Sequence, residues 1–192
     1  GKSNIACFGI LGNLILSFSK LLNQKAIHKP SAQHVLDDDY YKRIEAIQFT
    51  MSHDDGKKVD DINLADVVLL GVSRTSKTPT SIYLANRGYK TVNIPLVLDQ
   101  KIPEDLYSNR TSCIVGLIAD PERLSDIRRN RVAIMQDQNL KDYTDLDSIT
   151  KEVEDSKKLF KQNSWPIIDV TRRSVEETAA SILKIIEIKK KQ

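Results

Sequence analysis

Lys77 and Thr78 lie at the end of the stretch Gly71-Val72-Ser73-Arg74-Thr75-Ser76-Lys77-Thr78-Pro79, which follows the apolar run Ala65-Asp66-Val67-Val68-Leu69-Leu70 and precedes Thr80-Ser81-Ile82-Tyr83-Leu84-Ala85-Asn86. A buried strand, a phosphate-sized loop ending in Lys-Thr, and a helix form the layout of a phosphate-binding P-loop. Consecutive N–H groups of such a loop point inward at phosphate oxygens, aided by the helix N-terminus. Lys77 would neutralise charge on the transferring phosphate. The Thr78 hydroxyl would sit on a Mg²⁺ that bridges phosphate oxygens. Arg74 adds a fork of donors. The pattern G-x-x-x-x-G-K-[ST] is broken at Ser76, which stands where the second glycine is usual. A non-glycine residue there costs about 1 kcal/mol if the backbone needs a positive φ. The competing reading is a Ser/Thr-rich turn whose hydroxyls only cap the helix, but a cap needs neither Lys77 nor Arg74.

Two further groups carry charge in a useful pattern. Asp54 and Asp55 precede Gly56, and phosphoryl transfer to a hydroxyl needs a carboxylate to orient the hydroxyl or take its proton. The alternative is a solvated turn at a helix end, with His53 a structural residue. Asp120 ends an apolar run, where α/β folds place ligands, and Arg123, Arg128 and Arg131 follow it. Arginine grips phosphate bidentately, and Arg128 and Arg131, three apart, share a helix face. An exposed helix with ordinary charge pairs is the other possibility.

The elements that must position these residues follow from periodicity. Strands are expected at 67–72, 90–96, 113–118 and 165–170, with Pro95 interrupting the second. Helices are expected at 36–51, from the loop to near Gly88, at 120–131, at 149–160 and at 175–190. Gly56 suits a left-handed helix end, Pro121 a first helical turn, and the polar stretch 137–148 is expected to contain a loop. Strands separated by helices favour a mainly parallel sheet covered on both faces. The expectation is an α/β P-loop-type three-layer sandwich over 61–192, preceded by a helical segment, 1–60. Residues 5–22 read as a core helix rather than a membrane span, because Asn13, Ser17, Ser19 and Lys20 interrupt them. If that helix is not buried within one chain, it would suit a homodimer interface.

Bulk composition excludes more than it assigns. Lys plus Arg number 29 and Asp plus Glu 26, a net charge of +3 that makes no case for nucleic-acid or membrane binding. Cys7 and Cys113 lie in apolar runs and make neither a disulfide framework nor a metal site, which fits buried thiols in a reducing cytoplasm.

Several separated segments together resemble a known family. These are Gly71 to Pro79, continuing through Ser81-Ile82-Tyr83-Leu84-Ala85-Asn86-Arg87-Gly88-Tyr89-Lys90 to Asn93-Ile94-Pro95-Leu96-Val97; Tyr41-Lys42-Arg43-Ile44-Glu45-Ala46-Ile47 with Asp54-Asp55-Gly56; Gly116-Leu117-Ile118 with Asp120-Pro121-Glu122-Arg123-Leu124; and Trp165-Pro166-Ile167-Ile168-Asp169-Val170-Thr171 with Glu176-Glu177-Thr178-Ala179. Over roughly residues 30 to 188 the chain looks like the pyruvate, phosphate dikinase regulatory proteins and their phosphoenolpyruvate synthase regulatory relatives.

The resemblance implies a bifunctional enzyme. Such proteins are ADP-dependent Ser/Thr kinases that phosphorylate a threonine near the catalytic phosphohistidine of the dikinase and inactivate it. They reverse this with inorganic phosphate, releasing pyrophosphate. The dikinase is the preferred partner over the synthase. The implied cofactors are ADP, inorganic phosphate and Mg²⁺. Carried over by position, Gly71, Val72, Ser73, Arg74, Thr75, Ser76, Lys77 and Thr78 form the nucleotide loop, with Lys77 catalytic. Asp54 or Asp55 is the acid/base. Arg123, Arg128, Arg131 and Asp120 are candidates for the second phosphate or the phosphothreonine. Family members are longer at the N-terminus, so residues 1–60 are expected to be the remnant of a longer region. A small-molecule P-loop kinase and a non-catalytic nucleotide-binding regulatory module are the alternative readings.

Overall fold

The computed structural model describes residues 11–26, 37–56, 61–97, 102–109, 111–135 and 141–189. Cys7, the first part of the 5–22 helix, Pro30 and its loop, and the start of the 137–148 stretch lie outside these residues.

Four strands form one parallel sheet: β1 (Val67–Gly71), β2 (Thr91–Pro95), β3 (Cys113–Ile118) and β4 (Ile167–Asp169), in the order β2-β1-β3-β4. Leu69 of β1 stands opposite Asn93 of β2 and Val115 of β3. Every β1 residue is buried, which is why that strand reads as an uninterrupted apolar run rather than an alternating one. Its side chains nonetheless divide by the period of two. Val67 and Leu69 join one apolar cluster, and Val68 and Leu70 join another. Pro95 is the last residue of β2, at the sheet edge, where its missing N–H removes no central ladder bond.

Helices cover both faces. The first cluster takes Leu84 from α3 (Lys77–Ala85), Leu124 from α5 (Pro121–Met135), Ile149 and Val153 from α7 (Leu146–Gln162), and Ala179, Ile182 and Ile186 from α8 (Val175–Lys189). The second takes Ile62, Leu106 from the short α4 (Asp105–Ser108) and Phe160 from the end of α7, with Phe49 of α2 (Asp38–Ser52) packed against it. Each fully buried Leu, Ile or Phe contributes about 1.5–3 kcal/mol relative to exposure. The chain is thus the expected α/β three-layer arrangement with a parallel sheet.

Local signals set the helix starts. Pro79 occupies the first turn of α3, where its missing N–H has no intrahelical partner to lose. The Asp145 side chain accepts from the Ser148 N–H at 2.9 Å and caps α7. Ser174 and Glu177 form a reciprocal capping box at α8: the Glu177 N–H donates to Ser174 Oγ at 3.1 Å and the Ser174 N–H to Glu177 Oε2 at 2.8 Å.

Two expectations are corrected. The polar stretch 137–148, expected to contain a loop, also holds a helical turn, α6 (Lys141–Thr144), and α7 starts at Leu146 rather than at the expected Ile149. The described part of the first apolar segment is helical, α1 (Gly12–Leu21), but none of its residues is buried, and Leu14, Leu16 and Phe18 are each half exposed. It is not a core helix. The chain divides into two compact units, residues 1–37 and 38–192. The second holds the whole sheet. No helix among the described residues is long and apolar enough to cross a membrane.

Candidate functional site

The loop from β1 to α3 is tight at both ends. Gly71 opens it where a Cβ would meet the Leu117 carbonyl oxygen at 2.6 Å and Thr75 Oγ1 at 2.7 Å, so only hydrogen fits. Arg74 and Ser76 both hold positive φ, 73° and 57°. Ser76 therefore adopts the left-handed conformation that a glycine would take without strain. Two alternations of backbone hand within three residues turn successive peptide groups toward one side, the geometry of an anion-binding nest.

Lys77 starts α3, and its side chain turns back into the loop. It is 6% exposed, and its Nζ donates to the Val72 carbonyl at 2.9 Å. The buried Thr75 hydroxyl donates to the same carbonyl at 2.9 Å. Burial pushes the Lys77 amine down to about 8; Asp55 and Asp54 oppose the fall, while Arg128 and Arg74 add to it. A cation held in this way gains from an incoming anion, which restores the charge that burial disfavours.

Asp54 and Asp55 come from a short 3-10 turn, Asp54–Gly56, at the end of α2. Both Asp55 and Gly56 have positive φ, 53° and 70°, which bends the chain over β2. The fold brings Asp54 to the loop. Asp54 Oδ1 accepts from the Thr78 hydroxyl at 3.2 Å and from Asn93 Nδ2 at 2.6 Å. Asp55 is exposed and lines a cleft of about 440 Å³ with Ser73, Arg74, Ser76, Lys77, Thr78, Pro79, Pro95, Ile127, Arg131 and Tyr143. His53 is structural: its Nδ1 bonds Ser52 Oγ and the Phe49 carbonyl, and its ring stacks on Phe49.

The four residues of the third candidate group separate. Arg131 lines the loop cleft. Arg128 is 1% exposed and holds the protein's own groups: Nη2 donates to Glu152 Oε2 at 2.7 Å and to the Ser73 carbonyl at 3.2 Å, and Nη1 to the Tyr143 carbonyl at 3.2 Å. Its guanidinium also lies over the Tyr143 ring at 4.7 Å. It ties the loop to α6 and α7. Arg123 and Asp120 line a different cleft, with Asp169, Thr171, Arg172 and Arg173, at the ends of β3 and β4. Asp120 Oδ1 there accepts from the Arg123 N–H at 3.1 Å and caps α5.

Three contributors were not legible beforehand: Asn93, Tyr143 (whose hydroxyl bonds Ser73 Oγ at 2.7 Å) and Glu152. Only Asn93 left a signal, a polar side chain inside the apolar strand Thr91-Val92-Asn93-Ile94.

The donor set beside the loop suits a hard divalent cation. A hydroxyl and carboxylates are oxygen ligands of the type Mg²⁺ takes. Among the described residues no group of three or more His, Cys, Asp or Glu side chains could cage a metal.

Fold and site together define a class: a parallel α/β protein with a cationic, strained loop at the carboxyl end of β1 and carboxylates beside it. The family model described as kinase/pyrophosphorylase matches residues 1–183, and the chain belongs to that family. It is 62% identical over 190 residues to a protein of Pelagibacter ubique, covering 98% of this chain and 69% of that protein. It is 52% identical over 164 residues to one of Erythrobacter litoralis, covering 85% and 59%, and 49% identical over 176 residues to one of Rhizorhabdus wittichii, covering 92% and 64%. All three are provisionally named pyruvate, phosphate dikinase regulatory proteins. The chain thus spans between about three fifths and about two thirds of the length of these relatives.

Proposed function

We propose that this chain phosphorylates a threonine of pyruvate, phosphate dikinase with ADP as donor, inactivating it, and removes that phosphate with inorganic phosphate, releasing pyrophosphate. The observation that carries the reading is the buried Lys77 amine in a strained loop, beside Thr78 and Asp54 in hydrogen-bond contact. The family and the names of the relatives support it.

In the forward direction the threonine oxygen attacks the β-phosphorus of ADP. The bond from that phosphorus to the bridging oxygen breaks, AMP leaves, and the hydroxyl proton passes to a carboxylate. Asp55, exposed on the cleft, is the better placed acceptor. Asp54 is already engaged by Thr78 and Asn93 and serves the other side, holding Thr78. In reverse, an oxygen of inorganic phosphate attacks the phosphothreonine phosphorus, the bond to the threonine oxygen breaks, and the proton of the attacking phosphate passes by way of Asp55 to the threonine oxygen as pyrophosphate leaves. Thr78 would help to hold a Mg²⁺, which would supply charge neutralisation at the phosphates. Lys77 and the loop N–H groups hold the phosphates in line, which is most of what such a transfer needs. Arg131, on the cleft wall, is the candidate for the second phosphate. Cys113, a buried thiol, suits a reducing cytoplasm. The exposed apolar residues of α1 suit a homodimer contact, and sedimentation as a monomer would remove that part of the reading.

The deciding experiment incubates the chain with purified dikinase, Mg²⁺ and either ADP or ATP, with Lys77→Ala alongside, and maps phosphothreonine by mass spectrometry. Transfer from ADP that is lost in the variant is the expected result. Turnover of nucleotide without any protein acceptor would point instead to a small-molecule kinase. Lys77-dependent nucleotide binding with no transfer would point to a regulatory module.

A further inference from the structure

Asn93 is 1% exposed, in the middle of β2, and the reaction as described gives it no task. Its amide sits between two site groups: Nδ2 donates to Asp54 Oδ1 at 2.6 Å and to Thr78 Oγ1 at 3.0 Å. The Thr78 hydroxyl donates to Asp54 Oδ1 at 3.2 Å, which closes a triangle. The Asn93 N–H also donates to the His53 carbonyl at 3.2 Å, fixing the turn that carries Asp54. The amide orientation follows from its neighbours, because the reverse would set Oδ1 against a carboxylate oxygen. The consequence is that Oδ1 is buried without a partner.

An aliphatic residue would fill this strand position without leaving a buried acceptor unmet. What the amide adds is two donors aimed at two oxygens. A hydroxyl has one proton and two lone pairs. At Thr78 the proton goes to Asp54 and one lone pair to Asn93, so one lone pair remains for a cation. We propose that Asn93 is a positioning residue that sets the Thr78 hydroxyl and the Asp54 carboxylate for Mg²⁺ bound with a nucleoside diphosphate, and so fixes the Mg²⁺ dependence of the site. This rests on the reading of the site given above. Outer partners of metal-binding groups act in this way, and their removal weakens metal affinity by about 10–100-fold.

The test uses the 192-residue chain, with ADP binding measured by calorimetry across a Mg²⁺ titration and in EDTA, alongside thermal melting. Asn93→Leu removes both donors and the unmet oxygen; Asn93→Asp keeps the volume and covers the case in which Leu does not fold. The expected result is a melting temperature at or above that of the parent for Leu, unchanged ADP binding in EDTA, and a Mg²⁺ midpoint raised about tenfold or more. Thr78→Val should give the same shift, with no further change in the double variant. A folded Asn93 variant with an unaltered Mg²⁺ midpoint overturns the proposal while Lys77→Ala still abolishes ADP binding, so the site reading survives. A parent chain that binds no ADP, with or without Mg²⁺, overturns both.

Discussion

The two clefts at the carboxyl edge of the sheet differ in a way that size does not report. The cleft at the ends of β3 and β4 is the larger, about 790 Å³ against about 440 Å³ for the loop cleft, and is lined by three arginines and four acidic residues. Several of its polar groups satisfy one another. Asp120 takes the Arg123 N–H, Asp169 takes the N–H of Thr171 at 2.9 Å, and the Asp120 N–H goes to the Thr171 hydroxyl at 2.9 Å. The loop cleft instead holds a buried amine bonded to its own backbone and two residues of reversed backbone hand, and its Thr78 is bonded by the amide of Asn93, whose oxygen is buried with no partner. Charge of the right type is common on a protein surface. Charge kept out of water against its own solvation, on strained backbone, is not, and that separates the two regions.

The widest test of this contrast is a pair of substitutions. Lys77→Ala should lower phosphoryl transfer about 10³-fold, the scale of losing one preorganised electrostatic contact, whereas Arg123→Ala should change it by less than about threefold, near the scale of an exposed charge. Initial rates with dikinase as acceptor check both. The reverse ranking would break the comparison.

Arg128→Ala tests whether the loop depends on its anchor. It leaves Glu152 and the Ser73 carbonyl without their buried partner, and breaking such a pair costs about 3–5 kcal/mol. Urea unfolding measures this, and Glu152→Leu in the same chain should recover part of the loss. A loss below about 1 kcal/mol would mean that the loop holds itself.

Ser76→Gly sharpens the role of strain. The left-handed conformation costs about 1–2 kcal/mol for a non-glycine residue, and glycine loses about 0.5–1 kcal/mol more in unfolded-state entropy. Stability should rise by roughly 0.5–1 kcal/mol, by the difference of those terms. A fall would show that Ser76 contributes a contact beyond its backbone.

The smallest effect is expected at the cap of α7. The Ser148 N–H and hydroxyl hold the Asp145 carboxyl below its ordinary value. A group whose pKa is depressed on folding stabilises above its unfolded pKa, near 3.9, and loses that contribution as pH falls through the folded value. The stability gap between parent and Asp145→Ala should therefore be present at pH 7 and shrink below pH 4, as urea titrations at the two pH values would show. An equal gap at both would remove the charge from the cap.

Sequence alone determined the local elements. Val67–Gly71 as a buried strand and the helix that follows the loop come from periodicity, which acts over a few residues, whereas the helix start at Lys77 and the left-handed Ser76, which backbone sterics oppose, came from the folded loop. Which remote residues meet was decided only by the tertiary structure. Asp54 and Thr78 are 24 positions apart, and Asn93 lies between them because β2 pairs with β1 in a register that sets it opposite Leu69. Arg123, Arg128 and Arg131 look alike in the chain. Their positions around α5 send one into a second cleft, one into the interior against Glu152, and one to the loop cleft. Helical period narrows such choices, but the packing partner on each face selects among them, and that partner comes from another part of the chain.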